Sequence, residues 1–127
     1  DCLFDYSRLM EMTEATQSLA ALGHASRLAI FRQLVEAGHG GRMAGELAQA
    51  LSLPGATLSL HLKELMAAGL IHGEARGRYV NYRADFEAMN GLIAFLTHNC
   101  CAGDAEACGP DANQCTTAVT TCKTGGR

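Results

Sequence analysis

The chain has 127 residues, 48% of them apolar, with a net charge of −3, which is enough for one packed core and too little for two independent ones. Apolar runs such as the one around Leu92 and Leu96 fall far short of a membrane span, and the opening residues lack the basic start and apolar stretch of an export signal, so a cytoplasmic protein with no membrane partner is expected. The negative balance counts against nucleic acid as a general partner, because affinity for DNA comes largely from Lys and Arg; locally, however, residues 57–83 carry Lys63, Arg76, Arg78 and Arg83 against only Glu64 and Glu74.

Leu9, Met12, Ala15, Leu19 and Leu22 recur at three- and four-residue steps and predict an amphipathic helix over 7–22, ended by Gly23. Ala25, Leu28, Ile30, Phe31, Leu34 and Val35 predict a second, core helix that stops at Gly38, followed by a loop over 39–41. A short third helix covers 44–51, and Leu53, Pro54 and Gly55 signal a turn. A fourth helix is expected over 57–68, with Leu58, Leu62, Leu65 and Met66 inward and Gly69 terminating it. Its other face carries Thr57, Ser59, Leu60, His61, Lys63 and Glu64. Residues 70–74 and 79–83 are strand-like and joined through 75–78 as a hairpin. Phe86, Met89, Ile93 and Leu96 define a fifth helix over 85–98; beyond Asn99 large apolar groups almost vanish, so an irregular tail is expected. The expected organisation is thus a domain over 1–99 and a cysteine-rich tail over 100–127.

The fold class expected from this order is mainly α with a small β-hairpin. Two short helices separated by a turn, the second with a polar outer face, then a hairpin bearing two arginines, match the parts of a winged helix-turn-helix. In that arrangement Thr57, Ser59, His61 and Lys63 meet DNA in the major groove, Leu60 packs on a thymine methyl, and Arg76 and Arg78 contact phosphates or the adjacent minor groove. Periodicity alone also fits any small helical domain with an exposed polar helix, and a histidine on a short helix is often an ordinary surface residue.

Several segments, in one order and spacing, carry a resemblance: the run Ala21-Leu22-Gly23-His24-Ala25-Ser26-Arg27-Leu28, then Glu46-Leu47-Ala48, then Leu58-Ser59-Leu60-His61-Leu62-Lys63-Glu64-Leu65, then Ala68-Gly69-Leu70-Ile71, and Gly77-Arg78. Over roughly residues 19–83 the chain resembles the arsenical-repressor (ArsR/SmtB) family. The resemblance implies a homodimer of winged helix-turn-helix subunits joined through the first and fifth helices, which represses transcription from double-stranded operator DNA and is released by a metal or metalloid. It also favours His61, in the Ser-x-His-Leu run, as a DNA contact. A dimer would supply cover for the apolar stripes of the terminal helices and set the two recognition helices about 34 Å apart, one turn of DNA.

Members of that family hold effectors at different places. A thiol site at the start of the third helix has no counterpart here, since residues 42–47 contain no cysteine, and a carboxylate-histidine site on the fifth helix would have only Asp85, Glu87 and His98. Five of the six cysteines, Cys100, Cys101, Cys108, Cys115 and Cys122, lie in the last 28 residues. With no export signal they suggest reduced thiols and metal chemistry rather than a disulfide framework. Adjacent α-carbons about 3.8 Å apart sit below the roughly 4.4–6.8 Å usual for a disulfide, so Cys100 and Cys101 suit a shared ligand. Thiolates are soft donors that favour As(III) or Sb(III), which take three sulfurs in a pyramid, whereas zinc prefers four ligands in a tetrahedron. The expected metalloid site is therefore Cys100, Cys101 and Cys108; Cys115 or Cys122 would be able to replace the third, and Cys2 to contribute from the partner subunit. The resemblance is to members that bind arsenite or antimonite through thiols after the fifth helix.

The competing readings are a Zn(II)- or Cd(II)-sensing repressor, a thiol-redox sensor of the same fold, a reduced tail that binds nothing, a thiol enzyme in which His98 activates Cys100 or Cys101, and a protein-interaction module. A catalytic reading has little support, since the sequence holds no CxxC pair and no recognisable orienting acid.

Overall fold

Five helices and a three-stranded sheet make up the described residues, 10–98, of the computed structural model. In chain order these are α1 (Met12–Leu22), α2 (Ala25–Ala37), a 3₁₀ turn (Gly38–Gly40), β1 (Arg42–Met43), α3 (Ala44–Leu51), α4 (Gly55–Ala67), β2 (Ile71–Arg76), β3 (Tyr79–Ala84) and α5 (Phe86–Thr97). Met12–Met89 form one unit, and residues 10–11 and 90–98 belong to a second. The expected boundary between 99 and 100 lies outside the described residues.

The helix ends follow from local chemistry. At the start of α2 the Nδ1 of His24 accepts from the Ser26 N–H at 3.2 Å, and at its end Gly38, at φ 71°, donates its N–H to the carbonyl of Val35. The Glu46 carboxylate folds back to accept from the Met43 N–H at 2.8 Å, closing the first turn of α3. Ser52 takes a left-handed conformation (φ 54°, ψ 44°) that turns the chain out of α3. Pro54, extended at φ −61° and ψ 147°, leads into α4, and its carbonyl accepts from the Leu58 N–H at 2.9 Å. The helix therefore begins at Gly55 rather than at Thr57, because the proline already supplies the extended entry residue that a helix start requires.

The sheet has strand order β1-β3-β2 and is antiparallel throughout. Its β2–β3 hairpin pairs Ile71 with Ala84 and Arg76 with Tyr79, which narrows the connection to Gly77 and Arg78 alone. Gly77 adopts φ 66°, the sign that a two-residue hairpin turn needs at its first central position. The first strand thus runs two residues further toward the tip, through Ala75 and Arg76, than the apolar pattern predicts. The third strand, β1, was not expected at all: two residues are too short for an alternation signal, and Arg42 and Met43 become a strand only because Tyr82 and Asn81 lie opposite them.

Ile30, Phe31 and Leu34 of α2, Leu47 of α3, Leu58, Leu62 and Leu65 of α4, and Leu70, Ile71 and Ala84 form the core around which these elements close. Burying each such leucine is worth about 1.5–3 kcal/mol. Three expectations are corrected. Met66 is not inward: it is 40% exposed, since the buried stripe of α4 is completed by Leu58, Leu62 and Leu65 without it. Leu28 stands outside the core of α2. The first helix starts at Met12, with Met10 and Glu11 outside it, and its buried residues are Ala15, Ser18 and Ala21, so Met12 and Leu19 of the predicted stripe point away from the core. Similarly α5 ends at Thr97, and Asp85 precedes it as a cap, its Oδ1 accepting from the Ala88 N–H at 2.9 Å.

Candidate nucleic-acid interface

α3, the turn at 52–54 and α4 form a helix-turn-helix, and the β2–β3 hairpin follows α4 directly as a wing. Three leucines anchor α4 on the core, so the opposite ridge is forced outward. That ridge is Ser59, Leu60 and Lys63, all exposed, with Leu60 at 64%. Hydroxyl, isobutyl and ammonium groups at one helical spacing supply a hydrogen-bonding group, an apolar contact for a thymine methyl and a phosphate or base-edge cation. Thr57 is half-buried at the start of the same helix, one turn below His61.

His61 occupies a flank of α4 rather than its outer ridge. It is half-buried, and its ring lies 4.7 Å from that of His24, centre to centre, with the planes inclined by 45°. Partial burial first, and then the positive charges that His24 and Arg27 present, hold its pKa below the usual imidazole value, while Glu64 works the other way. Arg27 is itself fixed by a 2.6 Å hydrogen bond from its Nε to the carbonyl of Ala21. His24 was missed as a site residue because histidine is not among the usual helix-capping types; its place just before a helical run was the available signal.

At the wing, Arg76 and Arg78 are both exposed. Arg76 is paired with Glu74 on its own strand, Nη2 to Oε1 3.3 Å. Arg78, on the turn, has no such partner among the described residues. The base of the wing is tied down by Asn81, 5% exposed, whose Nδ2 donates to the carbonyl of Gly40 at 2.9 Å, and by His72, whose Nε2 lies 2.7 Å from the Asp85 carboxylate. These two anchors come from residues 41 and 13 positions apart, and no local pattern announces them.

Cys2, Cys100, Cys101, Cys108, Cys115 and Cys122 lie outside the described residues. Among the described residues no group of three or more His, Cys, Asp or Glu side chains is placed to hold a metal ion, and no helix is long and apolar enough to cross a membrane.

Comparison with known proteins agrees with this geometry. Residues 22–74 match a family model described as a helix-turn-helix domain. Over 85 residues the chain is 45% identical to the HTH-type transcriptional repressor SmtB of Mycobacterium tuberculosis, covering 66% of this chain and 61% of that protein, so the chain spans less than two thirds of its curated relative. Among solved structures, an ArsR-like transcriptional regulator from Rhodococcus sp. RHA1 superposes with a TM-score of 0.59 at 26% identity, covering 86% of this chain and 92% of that one. Reduced HlyU from Vibrio cholerae N16961 does so with a TM-score of 0.55 at 27% identity, covering 68% and 87%. Taken with the helix order, the outward ridge of α4 and the wing behind it, these likenesses show a winged helix-turn-helix fold similar to that of ArsR-like regulators.

Proposed function

We propose that this protein is a transcriptional repressor that binds operator DNA as a homodimer and lets go when trivalent arsenic or antimony is captured by its C-terminal thiols. The observation that carries the DNA-binding part is the ridge Ser59-Leu60-Lys63, held outward by the buried Leu58, Leu62 and Leu65 on the opposite side of α4. The ridge enters the major groove together with Thr57 and His61, and Arg76 and Arg78 reach the backbone from the wing. Dimerisation through α1 and α5 is supported by Met12 and Leu19 on the first and Ile93 and Leu96 on the second, large apolar side chains left exposed in the single chain.

The effector reading rests on the donor set. Five thiols within residues 100–127 offer soft ligands for a three-coordinate ion at Cys100, Cys101 and Cys108, with Cys115 or Cys122 as substitutes for the third. Capture of the ion couples to DNA release if it binds the DNA-free arrangement more tightly, typically by about 1–3 kcal/mol. A thiol-redox sensor is the second reading, favoured by the likeness to HlyU, a protein whose structure was solved in a reduced form. Zn(II) or Cd(II) would use the same thiols with four donors.

Titrating arsenite, antimonite, Zn(II), Cd(II) and peroxide separately into the protein–duplex complex, with thiol loss counted in parallel, tests this. Release by arsenite or antimonite with three thiols consumed per ion, abolished by Cys100→Ser while DNA binding survives, is the expected result. Release only by Zn(II), Cd(II) or peroxide would replace the metalloid reading, and no retention of any duplex would remove the repressor itself.

A further inference from the structure

Tyr79 stands at the tip of the wing, where nothing in the core requires an aromatic ring. It is 64% exposed, and Val80 beside it is also exposed. The contrast with Tyr82, three residues along the same strand and so on its other face, is direct. The Tyr82 ring covers Gly73, so that a Cβ there would meet its Cε1 at 3.0 Å, which is the usual service of an aromatic residue in a small sheet. Tyr79 covers no such partner. It pairs across the hairpin with Arg76, and directly opposed residues share a face of the sheet. Glu74 lies one pleat further back on that face and binds the Arg76 guanidinium. The tip therefore presents a phenol, a guanidinium half-neutralised by a carboxylate, and Arg78 on the turn with its charge unmatched.

We infer that Tyr79 is a wing contact to the DNA backbone, its phenolic O–H donating to a phosphate oxygen while its ring lies along the deoxyribose edge. The inference rests on the DNA-binding reading given above. A phenol combines an apolar body with a polar tip, and tyrosine is among the side chains that position proteins on phosphates. Arg76 shares its charge with Glu74, so Arg78 supplies the unmatched charge at the tip and Tyr79 a neutral donor. The contact fixes the wing on the duplex without carrying sequence information.

The full 127-residue chain and its Tyr79→Phe, Tyr79→Ala and Arg78→Ala variants would be titrated with a duplex recovered by binding selection from a random pool of about 30 base pairs, across about 50–200 mM salt. Because the phenol is exposed, the variants are expected to keep the wild-type far-ultraviolet circular dichroism. Tyr79→Phe should bind about 3–10-fold more weakly and Tyr79→Ala at least as weakly, both with the wild-type salt dependence and sequence preference, since no charge is removed. Arg78→Ala should instead lower the slope of log affinity against log salt by about one. Tyr79→Phe binding as tightly as wild type, or a changed sequence preference, would overturn the backbone contact while leaving the DNA-binding reading intact. Failure of the wild-type chain to enrich any duplex would overturn that reading and this inference with it.

Discussion

His61 of α4 lies against His24, the residue that caps the first turn of α2, with ring centres 4.7 Å apart. His24 uses Nδ1 as an acceptor for the Ser26 N–H, which fixes its ring at the corner between the two helices. Burial, His24 and Arg27 lower the pKa of His61 in the folded chain, and the unfolded chain therefore takes up a proton more readily. The stability this group contributes is fully present above its unfolded pKa, about 6.5, and is lost as pH falls through the lower folded value. Thermal unfolding followed between pH 7.5 and about pH 5 should show His61→Gln losing less stability than wild type over that window; identical pH profiles would refute the coupling.

Leu60 and Leu62 sit two residues apart on α4 and should behave oppositely. Leu62, buried among Leu58, Leu65 and Ile30 in the core cluster, should cost about 2–5 kcal/mol on truncation to alanine. Leu60→Ala should change stability by less than about 0.5 kcal/mol, as surface substitutions do, yet weaken binding to the selected duplex. Denaturant unfolding and fluorescence anisotropy on the two variants would check this; a large stability loss in Leu60→Ala would place that side chain in the core after all.

Gly41 cannot be replaced cheaply. Its φ is 72°, and a Cβ there would stand 2.4 Å from the Tyr82 carbonyl oxygen and 2.7 Å from Asn81 Nδ2. Gly41→Ala must therefore pay for a left-handed backbone and displace β1 from β3, a destabilisation of about 2–4 kcal/mol. Gly45→Ala, where a Cβ meets nothing within 4 Å, serves as the control and should be neutral or stabilising. Urea midpoints for the pair measure the difference.

Glu74 restrains the wing. Its carboxylate holds Arg76 at 3.3 Å and places a negative charge close to where a phosphate would pass. Both side chains are more than half exposed, so the pair itself adds little to stability. Glu74→Gln should leave the unfolding midpoint in place and tighten duplex binding about 3–10-fold, with a steeper salt dependence as Arg76 becomes available to phosphate. Unchanged affinity across the salt series would show that Arg76 does not reach DNA.

How far the sequence could be read depended on the range of the interactions involved. The inward leucines of α4 are legible because a 3.6-residue period writes itself into a helix, and the entry at Pro54 and the wing turn at Gly77 are marked by residues with special backbone preferences. Met66 was misplaced because a stripe of three leucines already fills the space, a matter of neighbours and not of spacing. Met12 and Leu19 likewise fit the period of α1, yet the small residues Ala15, Ser18 and Ala21 are the ones it buries.

By itself the amino-acid order determined the succession of helices, the turn between α3 and α4, the hairpin and the polar outer edge of α4, since each arises within a dozen neighbouring residues. Only the folded chain decided that Arg42 and Met43 form a strand, that Asn81 secures the wing to Gly40, that His61 leans on His24, and that Tyr79 stands clear while Tyr82 does not. Those pairings join positions far apart in the chain, and contacts closed by tertiary packing leave no periodic trace in the order of residues.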